Sequence, residues 1–313
     1  MPHLLLVISG LAHAADVDVG GAVDILNTTT FTPAVADALA LRQVEGDLAI
    51  TGEHVSARFD LDFNATILSN GALLTVYGLA PEQATVRYHT GAFFVEGGVA
   101  PGPWRIEHVD PWENAFSAFS MDTVLLPGSI LGGSVGLTGA GFTAQVVGGF
   151  DAPKYDLLHL STLGTSNFGP LIGIDGAYAT DVVTLRGGVW SRPTIGPLVG
   201  VELGARLNVG IVGAGVELVG NSNRAVGGQA EVEIWPAGVI SPMGRFEYTD
   251  AFGPGVGLGV SSTLVKIVRL KAEVEYQNHA PAAYLEASIA RPWPPKHGGA
   301  PSKSKNAEPE DTD

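Results

Sequence analysis

The sequence predicts an all-β fold: a transmembrane antiparallel up-and-down β-barrel of sixteen strands, with fourteen as the alternative count. Apolar residues recur with a period of two in many short segments, which is typical of strands whose successive side chains point to opposite faces. Mean hydropathy is +0.23 and only 16% of residues are charged, yet no apolar run long enough for a helical membrane span follows the N-terminus. Very short and longer connections alternate along the chain, as they do in bacterial outer-membrane barrels.

The two ends of the chain are predicted to lie outside the barrel. Residues 1–14 resemble a secretory signal peptide, with a short apolar core at Leu4–Ile8 and a small-x-small cleavage pattern at Ala12–Ala14. Residues 294–313 lack apolar periodicity and are rich in polar residues, so we expect a disordered tail. The barrel itself is then expected to occupy residues 15–293.

The predicted strands follow from the alternation, in chain order. They are 16–26, 44–50, 55–64, 83–89, 93–99, 130–138, 141–150, 171–178, 182–191, 198–208, 211–219, 225–235, 239–249, 255–264, 267–278 and 282–291. The apolar parity changes between the second and third strands, which places a turn at Thr51–Glu53. The predicted longer connections are 27–43, 65–81, 101–129, 151–170, 191–198, 220–226, 249–255 and 278–282.

Charged side chains share one parity of these strands and apolar side chains share the other. In the strand from Val268 to Gln277 one face carries four charges and the opposite face carries none. We interpret the charged face as the lining of a wet lumen, although solvent-facing rows of a soluble β-sandwich would show the same pattern. The candidates for pore lining or constriction are Arg58, Asp60, Asp62, Arg87, Glu96, Arg105, Asp110, Glu113, Arg206, Glu231, Glu233, Arg245, Lys271 and Glu273.

The connection 101–129 is the best candidate for a constriction because it is both long and rich in charge and Trp. The alternative is an outer loop that caps the rim or packs between strands. Alternate small residues at Gly255–Ser261 fall on the lumen parity and leave room for water or an inserted loop, or else permit strand curvature. Tyr88, Tyr178, Tyr248 and Tyr276 lie near strand ends, where aromatic girdles occur, whereas Trp190 and Trp235 fall on the lumen parity.

Several functional classes are disfavoured by composition and motifs. A net charge of −15 argues against nucleic acid as a partner. Cys is absent, which excludes a disulfide framework or a thiol nucleophile. The sequence has no G-x-S-x-G, H-E-x-x-H or P-loop pattern, and its His residues show no metal-ligand spacing. We therefore expect no enzymatic activity, no cofactor and no metal site.

Residues 45–135 resemble the OmpL-like porins. The resemblance rests on the Ala57–Phe63 run A-R-F-D-L-D-F, the strand Gln83–Tyr88, the stretch Pro101–Pro103, the element Asp110–Asn114 and the strand that opens on Gly132–Val135. It implies a sixteen-stranded barrel in the bacterial outer membrane that passes small solutes, and it implies no catalytic residue.

These observations predict a channel for passive diffusion of small polar solutes or ions, in contact with outer-membrane lipid. Acids outnumber bases on the lumen parity, so a weak preference for cations is expected. The alternatives left open are a structural or adhesive barrel plugged by 101–129 and a secreted soluble β-rich protein. The analogy with pores of this size leaves a homotrimer open.

Overall fold

A computed structural model of the chain describes residues 16–31, 36–69, 72–104, 126, 129–151, 154–156, 161–163, 169–192, 198–234, 239–265, 268–277 and 280–290. Within these residues there are eighteen strands. They are β1 Asp16–Thr30, β2 Ala36–Thr51, β3 Val55–Ser69, β4 Ala72–Thr90, β5 Phe93–Pro101, β6 Ser129–Gly139, β7 Phe142–Asp151, β8 Lys154–Asp156, β9 Ser161–Leu163, β10 Pro170–Ala179, β11 Val183–Arg192, β12 Leu198–Val209, β13 Val212–Asn221, β14 Val226–Ile234, β15 Ser241–Thr249, β16 Gly253–Val265, β17 Val268–Gln277 and β18 Ala280–Ala290.

Sixteen of these described strands form one closed antiparallel barrel, so the predicted fold class and strand number are confirmed. Each barrel strand pairs with its sequence neighbours, and β1 pairs with β18 to close the sheet, with Ala22 opposite Ala290. Closure leaves no unpaired sheet edge. The small strands β8 and β9 pair only with each other, between β7 and β10, and the alternation did not predict them.

The first four strands are longer than predicted, and the predicted connections 27–43 and 65–81 are wrong. Strand β4 alone has 19 residues, and most of both predicted connections is strand. The reason is a set of three register shifts. In β2 the partners pass from Gln43 to Leu41, and in β4 they pass from Gln83 to Pro81 and from Gly78 to Thr75. A bulge reverses the parity of alternation, so a continuous strand looks interrupted in the sequence. Bulges also tolerate a residue such as Pro81, which has no N–H to donate to the sheet.

Connection lengths alternate less strictly than predicted. We call the end with residues 52–54, 91–92, 140–141, 180–182 and 210–211 the turn end, and the opposite end, with 102–128 and 152–169, the loop end. At the loop end β3 and β4 are separated only by residues 70–71, and β17 and β18 only by 278–279. The hairpin between β6 and β7 turns at Ala140–Gly141, one residue later than predicted, with φ of 50° and 80°. A two-residue type I′ turn requires positive φ at both positions.

The two faces of the barrel are inverted relative to a soluble protein. Large apolar side chains are exposed on the outer face, for example Leu258 at 71% and Ile174 at 62%. Among the described residues, buried polar and charged side chains outnumber buried apolar ones, and they lie on the inner face. The described part of the chain contains no helix long and apolar enough to cross a membrane.

Aromatic side chains mark both ends of the outer face. Tyr88 and Tyr178 lie near the turn end, and Tyr248 and Tyr276 lie near the loop end, all exposed on the outer face as the sequence predicts. On β10, Tyr178 lies eight residues from Pro170, whose partner in the register is the exposed Phe150. Eight residues rise ~26 Å along a strand, or roughly 20 Å along the barrel axis at the usual tilt. The two aromatic belts therefore bound an apolar band of about that height.

Candidate functional site: the inner wall

Ion pairs between buried side chains reach across intervening strands, which the concave inner face of a closed barrel favours. Arg245 on β15 pairs with Glu275 on β17, although β16 lies between them. Arg269 on β17 reaches Glu233 on β14 at 3.3 Å between Nη2 and Oε1, past two strands. The charged parity of the sequence therefore faces the interior of the barrel.

The same Arg–Gly–Glu arrangement occurs twice across three neighbouring strands. Arg206, Gly215 and Glu231 are aligned on β12–β14, and Arg245, Gly257 and Glu275 are aligned on β15–β17. The Nη2–Oε1 distances are 3.5 Å for Arg206–Glu231 and 2.5 Å for Arg245–Glu275. A glycine in the middle strand leaves the space through which the two long side chains meet; a Cβ at Gly215 would lie 3.2 Å from Cγ of Glu231. The sequence predicts free space on the inner face beside Gly257, and in the structure the Arg245–Glu275 ion pair occupies it.

Charges are also paired further along the same wall. Glu233 accepts a hydrogen bond from Oγ of Ser261 at 3.1 Å as well as from Arg269. Nζ of Lys271 lies 2.9 Å from Oε1 of Glu286, and both side chains are fully buried. Carboxylates on β14–β18 are therefore largely compensated by neighbouring cations, which is the condition under which buried charges are tolerated.

The inner face of β1–β3 is acid-rich. Five buried carboxylates belong to Asp24, Glu45, Asp47, Asp60 and Asp62. In the register Glu45 lies opposite Asp62, and Asp47 lies opposite Asp60. We call these five side chains the acidic wall.

Arg58 lies beside the acidic wall, and its Nε donates to both carboxylate oxygens of Asp60 at 3.2 and 3.1 Å. One carboxylate oxygen from each of Glu45, Asp47 and Asp60 lies within 4.8 Å of the others. Such an all-oxygen set has the chemistry that hard cations prefer, although Arg58 already engages Asp60.

Two smaller charged clusters follow round the barrel. Nε of Arg87 lies 2.8 Å from Oε2 of Glu96, and its guanidinium carbon lies 4.4 Å from the ring centroid of the buried Phe94. Nε of Arg186 lies 3.5 Å from Oδ1 of Asp175, and Oδ2 of the same carboxylate accepts a hydrogen bond from Nε2 of Gln145 at 3.3 Å. Both clusters combine a cation with a single carboxylate, in contrast to the acidic wall.

An apolar cluster lies across the barrel from the acidic wall. Trp190 on β11 and Trp104, just after β5, are buried with ring centroids 5.7 Å apart. In the closed order β11 is the ninth of sixteen strands counted from β1, so it is eight strands away in each direction. The cluster consists of Trp104, Leu126, Ile130, Val147, Leu171, Trp190 and Val219. Trp190 is thus on the inner face, as its parity predicts, and Trp235 lies outside the described residues.

Most of the sequence-predicted site residues lie together on the inner face. These are Arg58, Asp60, Asp62, Arg87, Glu96, Arg206, Glu231, Glu233, Arg245, Lys271 and Glu273. Arg105, Asp110 and Glu113 lie outside the described residues. The inner-wall carboxylates that the candidate set omitted are Asp24, Glu45, Asp47, Asp175, Glu202, Glu217, Glu247, Glu275 and Glu286. Glu45 and Asp47 could have been assigned to the inner face from the sequence, because they alternate with apolar residues in the predicted strand 44–50.

Comparison with solved structures relates this architecture to known proteins. An anion-selective porin from Comamonas acidovorans aligns with a TM-score of 0.63 at 14% identity, over 88% of this chain and 100% of that one. OmpF of Salmonella typhi, solved in complex with daunomycin, aligns at 0.63 and 9% identity, over 88% and 97% of the two chains. A mutant of the Rh. blastica porin aligns at 0.58 and 11% identity, over 88% and 100%.

The barrel has the fold of bacterial porins. No family model matches the sequence, and no curated protein matches it either. At these identities the comparison establishes the fold alone.

Proposed function

We propose that the chain is an outer-membrane channel through which small hydrophilic solutes diffuse passively, with a weak preference for cations. The observation that carries this proposal is the inversion of the two faces in a closed porin-fold barrel: apolar side chains face outward and charged side chains face inward. We propose no catalytic role for the inner-wall residues.

Membrane insertion is supported by the outer face. A soluble protein seldom exposes a continuous apolar surface, whereas this barrel exposes one round its circumference between two aromatic belts. Lipid is the solvent that suits such a band, and a closed barrel satisfies every backbone group without water. The bacterial outer membrane and its lipid are therefore the proposed location and partner.

The cation preference is supported by the distribution of charge on the inner wall. On β12–β18 the carboxylates Glu231, Glu233, Glu275 and Glu286 each have a cationic neighbour. Among the described residues of the inner wall, carboxylates outnumber Arg and Lys side chains, and five of the buried carboxylates lie on β1–β3. Excess negative charge on one wall raises the local concentration of cations.

Replacing Asp47 and Asp60 by Asn tests this part of the proposal. We expect a lower cation/anion permeability ratio, most clearly at low salt, where screening is weakest. Arg58→Gln should move the ratio in the opposite direction, because it removes the cation beside the wall. The readout is the reversal potential in a salt gradient, and an unchanged value in all variants would contradict the assignment.

The connection 101–129 is proposed to narrow the channel, with Arg105, Asp110 and Glu113 as the candidate constriction residues. The support comes from its described ends: Trp104 and Leu126 both lie in the apolar cluster on the inner wall. Asp110→Asn with Glu113→Gln should lower the permeability ratio at low salt. An unchanged reversal potential with intact conductance would remove this connection from the pore.

We also propose a narrower family relationship, the fate of both chain ends and an oligomeric state. The narrower resemblance to the OmpL-like porins rests on the Ala57–Phe63 and Gln83–Tyr88 motifs. Residues 1–14 are proposed as a cleaved signal peptide and 294–313 as a polar tail, and a homotrimer is proposed by analogy. N-terminal sequencing of the mature protein and its mass in mild detergent test the signal and the trimer.

Membrane fractionation followed by gel electrophoresis with and without boiling is the primary test. We expect a membrane-bound protein whose mobility shifts on boiling; a soluble protein without a shift would refute the barrel in the membrane. Planar-bilayer recording then separates an open channel from a plugged barrel. Absence of conductance from a correctly folded, heat-modifiable protein would favour the plugged barrel.

A further inference from the structure

Two histidines lie opposite each other on neighbouring strands at the turn end of the barrel. His54 directly precedes β3, and His89 is the last residue but one of β4. The register pairs Val55 with Tyr88. The next row places His54 opposite His89, where the backbone N–H of His89 donates to the carbonyl of His54 at 2.8 Å. Directly opposite residues of an antiparallel pair have Cβ atoms about 4.5–5.5 Å apart, so the backbone holds the two imidazoles side by side.

The two imidazole rings are close enough for one metal ion to join them. Their centroids are 6.4 Å apart, and their planes meet edge to face at 67°. A tetrahedral ion that binds two imidazole nitrogens at about 2.0–2.1 Å places the ring centroids roughly 5 Å apart. The rings therefore have to approach by about 1 Å. His54 is exposed and His89 is half-buried, so small side-chain rotations supply this movement.

A carboxylate lies beside the two rings. Oε1 of Glu53 is 3.7 Å from Nε2 of His54, and the Glu53 side chain is 89% exposed. Two ligands of a tetrahedral ion at about 2.0–2.1 Å are roughly 3.3 Å from each other. The carboxylate and the imidazole are thus already near the spacing that a shared ion requires. Together with His89 they offer two nitrogen ligands and one oxygen ligand, which leaves the fourth position for water.

The pair lies at the rim of the barrel interior. The ring centroid of Tyr88, which is exposed on the outer face, is 6.4 Å from that of His54 on one side. On the other side His89 shares the inner face of β4 with Arg87. Nε of Arg87 is 2.8 Å from Oε2 of Glu96, so the charge of this neighbouring cation is compensated. A positive ion is therefore tolerated beside His89.

We propose that His54 and His89, with Glu53, bind a divalent ion of the Zn²⁺, Ni²⁺ or Cu²⁺ class at the turn end of the barrel. Imidazole suits these ions, whereas Ca²⁺ and Mg²⁺ take oxygen ligands. The acidic wall is a separate feature, because Asp60 in its nearest row is six residues from His54, or ~20 Å along the strand. The proposal does not depend on the channel function.

The sequence predicts no metal site because no local spacing connects residue 54 with residue 89. Metal-binding motifs that are read from sequence place their ligands a few residues apart. Here the ligands belong to two strands, and the register of β3 and β4 brings them together.

Titration calorimetry with Zn²⁺ alone tests the site, on the untagged full-length protein folded in detergent micelles. The buffer should be mildly alkaline, because metal ions bind neutral imidazole. We expect one ion per chain, and no detectable binding would refute the site. His54→Gln and His89→Gln should each lower the affinity at least about tenfold, since even outer-shell partners of a metal-bound His are worth 10–100-fold. Glu53→Gln should cause a smaller loss, and an unchanged affinity would remove Glu53 from the ligands.

His159→Gln is the matched control, because it removes an imidazole that is distant in sequence from both proposed ligands. Its Zn²⁺ affinity should equal that of the wild type. A loss as large as that in His54→Gln would show that the ion is bound by scattered histidines, and this would overturn the proposal.

Competition with Ca²⁺ separates the proposed site from the carboxylates of the inner wall. Zn²⁺ binding should persist in an excess of Ca²⁺, and it should be unchanged in the double variant Asp47→Asn, Asp60→Asn. Displacement by Ca²⁺, or loss of binding in that double variant, would assign the ion to the acidic wall and refute the histidine site.

The second readout is the urea midpoint of unfolding with and without Zn²⁺. An ion that binds the folded chain alone stabilises it by mass action, and the two histidines are neighbours only when β3 and β4 are paired. Zn²⁺ should raise the midpoint of the wild type and His159→Gln but not of His54→Gln or His89→Gln. Without metal all four midpoints should agree, because both substituted side chains reach the surface. An equal rise in all four proteins would refute the site.

Discussion

Replacing Ile174 by Arg tests whether the outer face is surrounded by lipid. Ile174 is 62% exposed and lies four residues from Tyr178 and four from Pro170 on β10. Four residues rise ~13 Å along a strand, or roughly 10 Å along the barrel axis at the usual tilt. Ile174 therefore lies midway between the two aromatic belts, at the level of the membrane midplane.

The expected cost follows from that depth. An Arg on the lipid face costs about 2–4 kcal/mol at the midplane and about 0–1 kcal/mol near the interface. An exposed surface position of a soluble protein would change stability by no more than about 0.5 kcal/mol. A cost of 2–4 kcal/mol reduces the folding equilibrium constant by a factor of roughly 30–900.

The chain offers a matched control at Ile240. This residue is also 62% exposed, but it lies between β14 and β15 at the turn end of the barrel. Ile240→Arg should therefore cost about 0–1 kcal/mol. Residue type and exposed fraction are the same at both positions, whereas the depth along the barrel axis differs.

The assay is reversible unfolding by urea of the protein folded into lipid vesicles, followed by Trp fluorescence. The free energy of unfolding is obtained by linear extrapolation, with the slope required to agree among variants. Ile174→Arg and Ile240→Arg should differ by at least about 1 kcal/mol. Small and equal effects at the two positions would refute the lipid-facing assignment of the outer surface.

Three further predictions concern the inner wall and the orientation. Arg245→Met should destabilise the barrel by about 3–5 kcal/mol, because it removes the cation that pairs with the buried Glu275. Adding Glu275→Gln should restore most of that loss in the same urea titration; a single-variant cost below about 1 kcal/mol would contradict the buried pair. Gly257→Leu should lower the free energy of unfolding about as much as Arg245→Met does, because the Leu side chain would occupy the space in which Arg245 and Glu275 meet. A neutral result would show that the ion pair does not depend on the space beside Gly257. Ser161→Cys should react with an impermeant thiol reagent on whole cells and Ala237→Cys should not; the reverse pattern would invert the orientation of the two barrel ends.

The sequence by itself determined the class of fold and which residues face inward. A period of two assigns each side chain to one of two faces without any tertiary information, so residues such as Glu231, Arg245 and Lys271 could be placed on the charged face in advance. The count of sixteen strands followed from the same alternation. Alternation failed where a bulge added one residue, at Arg42 and near Pro81, because parity then reverses within a continuous strand.

Only the tertiary structure decided which side chains meet. Arg245 and Glu275 are separated by thirty positions and an intervening strand, and their contact depends on the register that places Gly257 between them. Trp104 in the apolar cluster packs so closely on Gly173 and Gly188 that neither position has room for a Cβ, and no local pattern connects either glycine with residue 104. The period of two in the sequence indicates the face of the sheet on which a side chain lies. Which side chain it contacts depends on the register of strand pairing and on the closure of the barrel, and both are determined by all the strands together.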